Sequence, residues 1–215
     1  MRRYLLNLAT FTVLSFCVTG LAQADFVNGG FESGDFTGWT ITPTANGQTN
    51  VQTVVLWDID WGGPLPPSLV GRFQVGQQVF QSGVPAGIEL TQSLVLSAGV
   101  EYTFSFDWSA HRATTASANT QGGIFDLIVN GNVLASAAAG PTSSTTQNFG
   151  NISVAFTPLV SGNYDVGARI TRPFTVPADL FQSVDNFSAT AIPEPTHTLI
   201  FGLVCLALNV RRQRK

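Results

Sequence analysis

Apolar and polar side chains alternate in short blocks along the middle of the chain. In Val100–Trp108, Tyr102, Phe104, Phe106 and Trp108 take every second position, and Thr103, Ser105 and Asp107 fill the gaps. A period of two puts successive side chains on opposite faces, so the block predicts a half-buried antiparallel strand. Leu90–Leu96 precedes it, with Ser97-Ala98-Gly99 as the turn. Gly123–Val129 predicts another strand; Asn130-Gly131 is a two-residue hairpin turn, and Val133–Ala138 returns beside it. Stripes at Ile152, Val154 and Phe156, and at Tyr164, Val166, Ala168 and Ile170, predict two more strands, and Val184–Ala191 closes the series.

No segment of the body carries the 3.6-residue periodicity of an amphipathic helix. Many short strands with glycine-rich turns predict an all-β fold, a single antiparallel β-sandwich. Ala113–Gln121 and Pro141–Gln147, rich in Ser, Thr and Ala, read as solvated loops.

Both ends differ from the body. Arg2 and Arg3 precede a mostly apolar stretch from Leu5 to Val18, and Ala22-Gln23-Ala24 supplies the small residues that signal peptidase requires. Residues 1–24 are thus expected to be a signal peptide, 25–191 the sandwich domain, and 192–215 a separate terminal segment. In that segment Pro193 and Pro195 end the last strand, a run of about 13 apolar residues would make a helix of roughly 20 Å, and Arg211, Arg212, Arg214 and Lys215 follow. Basic residues beyond an apolar run mark the cytoplasmic side of a membrane. The run is shorter than the roughly 20 residues of an ordinary span.

Pro193-Glu194-Pro195, the short apolar run and the basic end, in that order, resemble the PEP-CTERM sorting signal of Gram-negative bacteria. The resemblance implies export across the inner membrane, transient anchoring by the C-terminal hydrophobic helix, and processing by an exosortase. It also implies a cell-surface or extracellular destination, in association with exopolysaccharide or biofilm.

Charge narrows the function. The chain totals −3, but six basic residues lie in the terminal segments. From Asp25 to Ile192, four arginines (Arg72, Arg112, Arg169, Arg172) face twelve acidic residues, a net charge of −8. Such a surface repels phosphate backbones and excludes a nucleic-acid partner, while it suits cations and neutral ligands. Both cysteines, Cys17 and Cys205, are in the end segments, so neither a disulfide framework nor a thiolate metal site is available to the body.

Asn28-Gly29-Gly30-Phe31-Glu32 with Gly38-Trp39, the run Gln92, Leu94, Leu96, Gly99, Tyr102 and Phe106, and the closing Val184-Asp185-Asn186-Phe187 resemble galactose-binding-like jelly rolls, including carbohydrate-binding modules. The resemblance implies a jelly roll whose first and last strands are neighbours, with a structural Ca²⁺ near their junction. Strict alternation places Asp185 on the apolar face of Phe187, Ala189 and Ala191, where a carboxylate needs a partner. Ca²⁺ takes carboxylate and carbonyl oxygens, so Glu32, Asp185, Asn28 and Gly30 are the candidate ligands. The competing reading has Glu32 and Asp185 capping turn amides without a metal.

Trp57-Asp58-Ile59-Asp60-Trp61 is the most ligand-like stretch. Aromatic planes stack on the apolar faces of sugars, and carboxylates accept hydroxyl hydrogen bonds. The bland alternative is that the two tryptophans only cover the end of the sandwich. Catalytic signatures are few. His111 is the body's single histidine and is read as a loop residue; Asp107, Ser109 and His111 could form a hydrolytic set, yet no G-x-S-x-G elbow, H-E-x-x-H or P-loop occurs. The expectation is a non-enzymatic, exported surface or matrix protein that associates with polysaccharide. A small secreted glycan hydrolase or esterase is the alternative.

Overall fold

The computed structural model describes residues 24–115 and 119–192. The segments expected to be a signal peptide (1–24) and a sorting tail (192–215) lie outside these residues, apart from Ala24 and Ile192. Ten strands form two five-stranded antiparallel sheets. They are β1 (Thr40–Pro43), β2 (Gly47–Trp57), β3 (Ser68–Gln77), β4 (Ala86–Leu96), β5 (Glu101–Arg112), β6 (Ile124–Val129), β7 (Asn132–Ala138), β8 (Asn148–Phe156), β9 (Gly162–Arg172) and β10 (Leu180–Ile192). No helix occurs among the described residues.

One sheet runs β1-β4-β9-β6-β7 and the other β2-β3-β10-β5-β8. The last eight strands pair as a rolled-up hairpin: β3 with β10, β4 with β9, β5 with β8, β6 with β7. This nesting is the winding of a jelly roll. The alternation read from sequence fixes which side faces in. Tyr102, Phe104, Phe106 and Trp108 of β5 meet Ile88, Leu90, Leu94 and Leu96 of β4 and Phe125 and Leu127 of β6 in one core.

The amino-terminal segment plugs one end of that core. Phe26 stacks on Trp39 with ring centres 5.4 Å apart, and Trp39 lies 4.5 Å from Phe187. Trp39 donates its indole N–H to the Asn28 carbonyl, and Gln92 exchanges two hydrogen bonds with the Val27 backbone. Phe31 fits over Gly71, where an added Cβ would stand 2.9 Å from Phe31 Cζ. The Asn28–Trp39 motif is thus a structural plug made of aromatic contacts.

Candidate functional site

Opposite Asp107, strand β10 carries a β-bulge. Asp185 pairs with Asp107 and Ser188 with Ser105, so Asn186 and Phe187 together oppose Phe106. Asn186 takes φ 53°, a left-handed conformation that asparagine tolerates better than most residues. The extra residue inverts the alternation. Phe187 and Ala189 enter the core, while Asp185 faces outward with Asp107. This corrects the expectation that Asp185 shares the face of Phe187. A bulge inserts a residue without changing composition, so the alternation could not reveal it.

Asp185 is nevertheless fully buried. Its Oδ2 accepts a 2.6 Å bond from the Ser68 hydroxyl, and its Oδ1 has no partner. Burial pushes the carboxyl up to about 6, with the Ser68 hydroxyl and the Asn186 backbone N–H opposing and the charges of Asp107 and Glu32 adding to the rise. A Cβ built on Gly30 would lie 3.4 Å from Glu32 Oε1 and 3.8 Å from Asp185 Oδ1, so both carboxylates converge on that glycine. This arrangement fits a hard cation, which would take up the orphaned oxygen and the paired charge. Asn28 does not fit the same role. Its carbonyl accepts from Phe31 N and Trp39 Nε1, its side-chain oxygen accepts from Ser33 N, and its amide donates to Asp35 and Thr37 carbonyls. No cluster of three or more His, Cys, Asp or Glu suited to a metal occurs among the described residues.

The stretch from Trp57 onward leaves the edge strand β2 and folds diagonally across the outer face of the second sheet. At the opposite edge, Gln147 precedes β8. Its amide donates to the carbonyls of Asp58 and Ile59, and its Oε1 accepts from Trp57 Nε1 at 3.0 Å. The loop therefore spans β3, β10 and β5. Beneath it, Trp57 stacks on His111 at 4.3 Å, and His111 stacks on Phe181 at 5.4 Å. The Arg72 guanidinium lies 4.1 Å from the Trp57 ring centre and 5.4 Å from that of Phe181. His111 is thus a buried residue of β5, not a loop residue. Burial first, and the Arg72 charge second, push its imidazole down to about 4.

The two acids of the stretch brace its turns. Asp58 Oδ2 accepts from Gly62 N at 2.7 Å, and Asp60 Oδ2 accepts from Leu65 N at 3.0 Å. Asp60 is buried. Trp61 differs from its neighbours: it is 48% exposed and takes φ 49°. Trp57, Asp58, Trp61 and Gly62 line an open cavity of about 460 Å³. The sequence reading missed Arg72, Gln147 and Phe181, whose sole sequence signal was that Arg72 is one of four body cations.

The hydrolytic candidates are not joined. Asp107 is held by the amides of Asn151 and Asn186, each at 2.8 Å. Ser109 Oγ and His111 Nδ1 both lack a hydrogen-bond partner, so no relay runs from base to nucleophile.

No protein-family model matches the chain, and no curated protein does. Among solved structures it is similar to the carbohydrate-binding module TmCBM61, described in complex with β-1,4-galactotriose. That pair is 19% identical over 78% of this chain and 99% of the other, with a TM-score of 0.49. A cyclase from Fischerella sp. is 18% identical over 81% of this chain and 98% of its own, with a TM-score of 0.47. The CBM22-1 xylan-binding domain from Paenibacillus barcinonensis Xyn10C is 11% identical over 81% and 98%, with a TM-score of 0.42. Binding and catalysis in this range of structures both occur, and each belongs to the protein concerned.

Proposed function

We propose that this chain is an exported, non-enzymatic surface or matrix protein whose sandwich domain binds glycan through the Trp57–Trp61 hairpin. The observation that carries the reading is the exposed Trp61 ring, 6.1 Å from Trp57, over an open cavity that Asp58 also lines. A large aromatic held outward in a left-handed backbone is a position that packing alone does not favour. Such a ring stacks on the apolar face of a sugar, and the hairpin's carboxylate and amide groups orient its hydroxyls.

Export belongs to the same proposal. It is supported by the basic, apolar and small-residue order at the amino terminus and by the Pro193-Glu194-Pro195 tail with its basic end. Signal peptidase and exosortase would be the processing enzymes, and the inner membrane a transient anchor before release to the surface or matrix. A structural Ca²⁺ held by Glu32 and Asp185, with backbone oxygens of the Gly30 turn, would fix the plug against β10. The ion's part there is charge neutralisation, not chemistry.

A glycan array probed with the full chain tests the binding reading. Retention is expected for the parent and lost for Trp61→Ala with its melting temperature unchanged. A parent that no glycan retains refutes the reading. Intact-mass measurement on protein from its native envelope tests export: two cleavages are expected, after Ala24 and near Pro195, and an uncut chain refutes it.

A further inference from the structure

Arg72 stands apart from the other cations of the body. Arg112 pairs with Asp179 at 3.2 Å, and Arg169 pairs with Glu89 at 2.6 Å. Arg172 donates to the carbonyls of Gln121 and Thr175 and to Asn119. Among the described residues, Arg72 has neither a carboxylate partner nor a hydrogen bond, and its Nε and Nη2 are both buried. The Arg72 Cζ lies 4.1 Å from the Trp57 ring centre and 5.4 Å from that of Phe181, cation–π contacts that engage its charge and not its N–H donors. Nε and Nη2 form one edge of the planar guanidinium, and the edge matches the two oxygens of a carboxylate.

The neighbours extend this donor set. Ser183 of β10 pairs with Arg72 on one side and with Ser109 of β5 on the other. Both serines are fully buried, and both hydroxyls lack partners. His111, next on the same face of β5, is 5% exposed and has an unpartnered Nδ1. Three adjacent strands thus present a contiguous patch of unused polar atoms under the hairpin. Leaving such groups unpaired is costly, and a neutral sugar hydroxyl would not compensate the buried charge.

We propose that the Nε–Nη2 edge of Arg72, with the hydroxyls of Ser183 and Ser109, is a subsite for the carboxylate of an acidic sugar, closed over by the β2–β3 hairpin. This rests on the glycan-binding reading above and gives it a substrate class. Entry requires the hairpin to lift from the sheet, and the hydrogen bonds of Gln147 at the far edge hold it down between events. The net charge of −8 between Asp25 and Ile192 restricts the polymer. One cation in an acidic surface accepts a uronic acid flanked by neutral sugars and rejects a chain charged at every unit. Burial pushes Arg72 down to about 10, and a bound carboxylate would restore its preference for the charged form.

Affinity gel electrophoresis of the full chain tests this with three probes: glucuronoxylan, the same polymer after carboxyl reduction, and polygalacturonate. The parent is expected to bind glucuronoxylan about tenfold more tightly than its reduced form, which corresponds to one charge-assisted pair. Polygalacturonate is expected to bind less well than glucuronoxylan. Arg72→Gln should erase the preference for the acidic polymer. Arg72→Lys, which keeps the charge and the ring contact but not the fork, should lose most of it. Equal retardation by the acidic and reduced polymers overturns the subsite and leaves glycan binding intact. So does a folded Arg72→Gln protein that still prefers the acid. Absence of retardation by every polymer overturns both readings. The comparison of polymers uses the parent protein, so its outcome does not depend on the variants folding.

Discussion

The rings of Trp57 and His111 stack 4.3 Å apart and within 24° of parallel, although β2 and β5 are separated by two other strands. Trp57 pairs with Ser68 at one end of β3, whereas His111 lies level with Phe181 near the other end of the sheet. The contact exists because the hairpin end bends over the outer face. It buries an imidazole beside a guanidinium, and that has a pH consequence.

His111 has a folded-state pKa of about 4 against an ordinary 6.5, from burial and then from Arg72. The neutral ring is favoured in the fold. Its stabilising effect is therefore complete above about 6.5 and is lost as pH falls towards 4. The loss is at most about 3 kcal/mol. Urea denaturation of the parent at pH 7 and pH 4.5 should show a stability gap that shrinks in His111→Phe. An identical gap in the variant would exclude His111 as its source.

Asp185 titrates with the opposite sign. Its folded-state value, about 6, lies above the ordinary 3.8 because the carboxyl is buried. The protonated form is favoured, so its contribution is full below about 3.8 and is lost as pH rises through 6. In chelator at pH 7.5, Asp185→Asn should therefore stabilise the protein by up to about 3 kcal/mol. Added Ca²⁺ should reverse the order, raising the melting temperature of the parent and leaving the variant unchanged. A parent whose melting curve ignores both chelator and Ca²⁺ removes the ion from the proposal.

The two hairpin tryptophans should separate in their effects. Trp57 joins Arg72, His111 and Gln147, so Trp57→Ala is expected to cost about 2 kcal/mol or more of stability. Trp61 is 48% exposed and its ring stands 6.1 Å from that of Trp57, so Trp61→Ala should cost clearly less stability than Trp57→Ala, less than about 1 kcal/mol. Equal destabilisation by the two substitutions would contradict a division of labour in which Trp57 holds the hairpin and Trp61 meets the ligand.

The bulge makes a further test possible. Phe187 N donates to the Gly29 carbonyl at 3.0 Å, and a Cβ on Gly29 would lie 2.5 Å from the Phe187 carbonyl. Gly29→Ala is expected to cost about 1–3 kcal/mol through overpacking against the backbone. At Asn186, glycine should be tolerated and valine should cost about 1–2 kcal/mol, because β-branched residues resist a positive φ. Calorimetric melts of the three variants measure this, and a neutral Gly29→Ala would contradict the close packing of plug and strand.

Strands β4 to β9 are legible in the sequence because one face of each meets the core and alternation survives; β10 is legible only on either side of its bulge, which inverts the alternation at Asp185. The stripe of Tyr102, Phe104, Phe106 and Trp108 is as buried as its pattern requires. Strands β1 to β3 are not legible in the same way. In β2 and β3 adjacent apolar pairs, Val54-Val55 and Leu69-Val70, break the period of two. Leu69 packs against the core, whereas Val70 is buried outside it, on the face that the hairpin crosses. A sheet covered on both sides loses the polar half of its pattern.

By itself, the sequence determined the β class, the inward stripes and the acidic body, because these are local or compositional properties. Tertiary structure alone decided that Asp185 turns away from Phe187, since one inserted residue inverts a strand's faces. It alone placed Trp57 on His111, left Arg72 without a carboxylate, and lined Ser183 and Ser109 up beside it. Those relationships depend on strand order and on the path of a hairpin across a sheet. They join residues far apart in the chain, which no local pattern encodes.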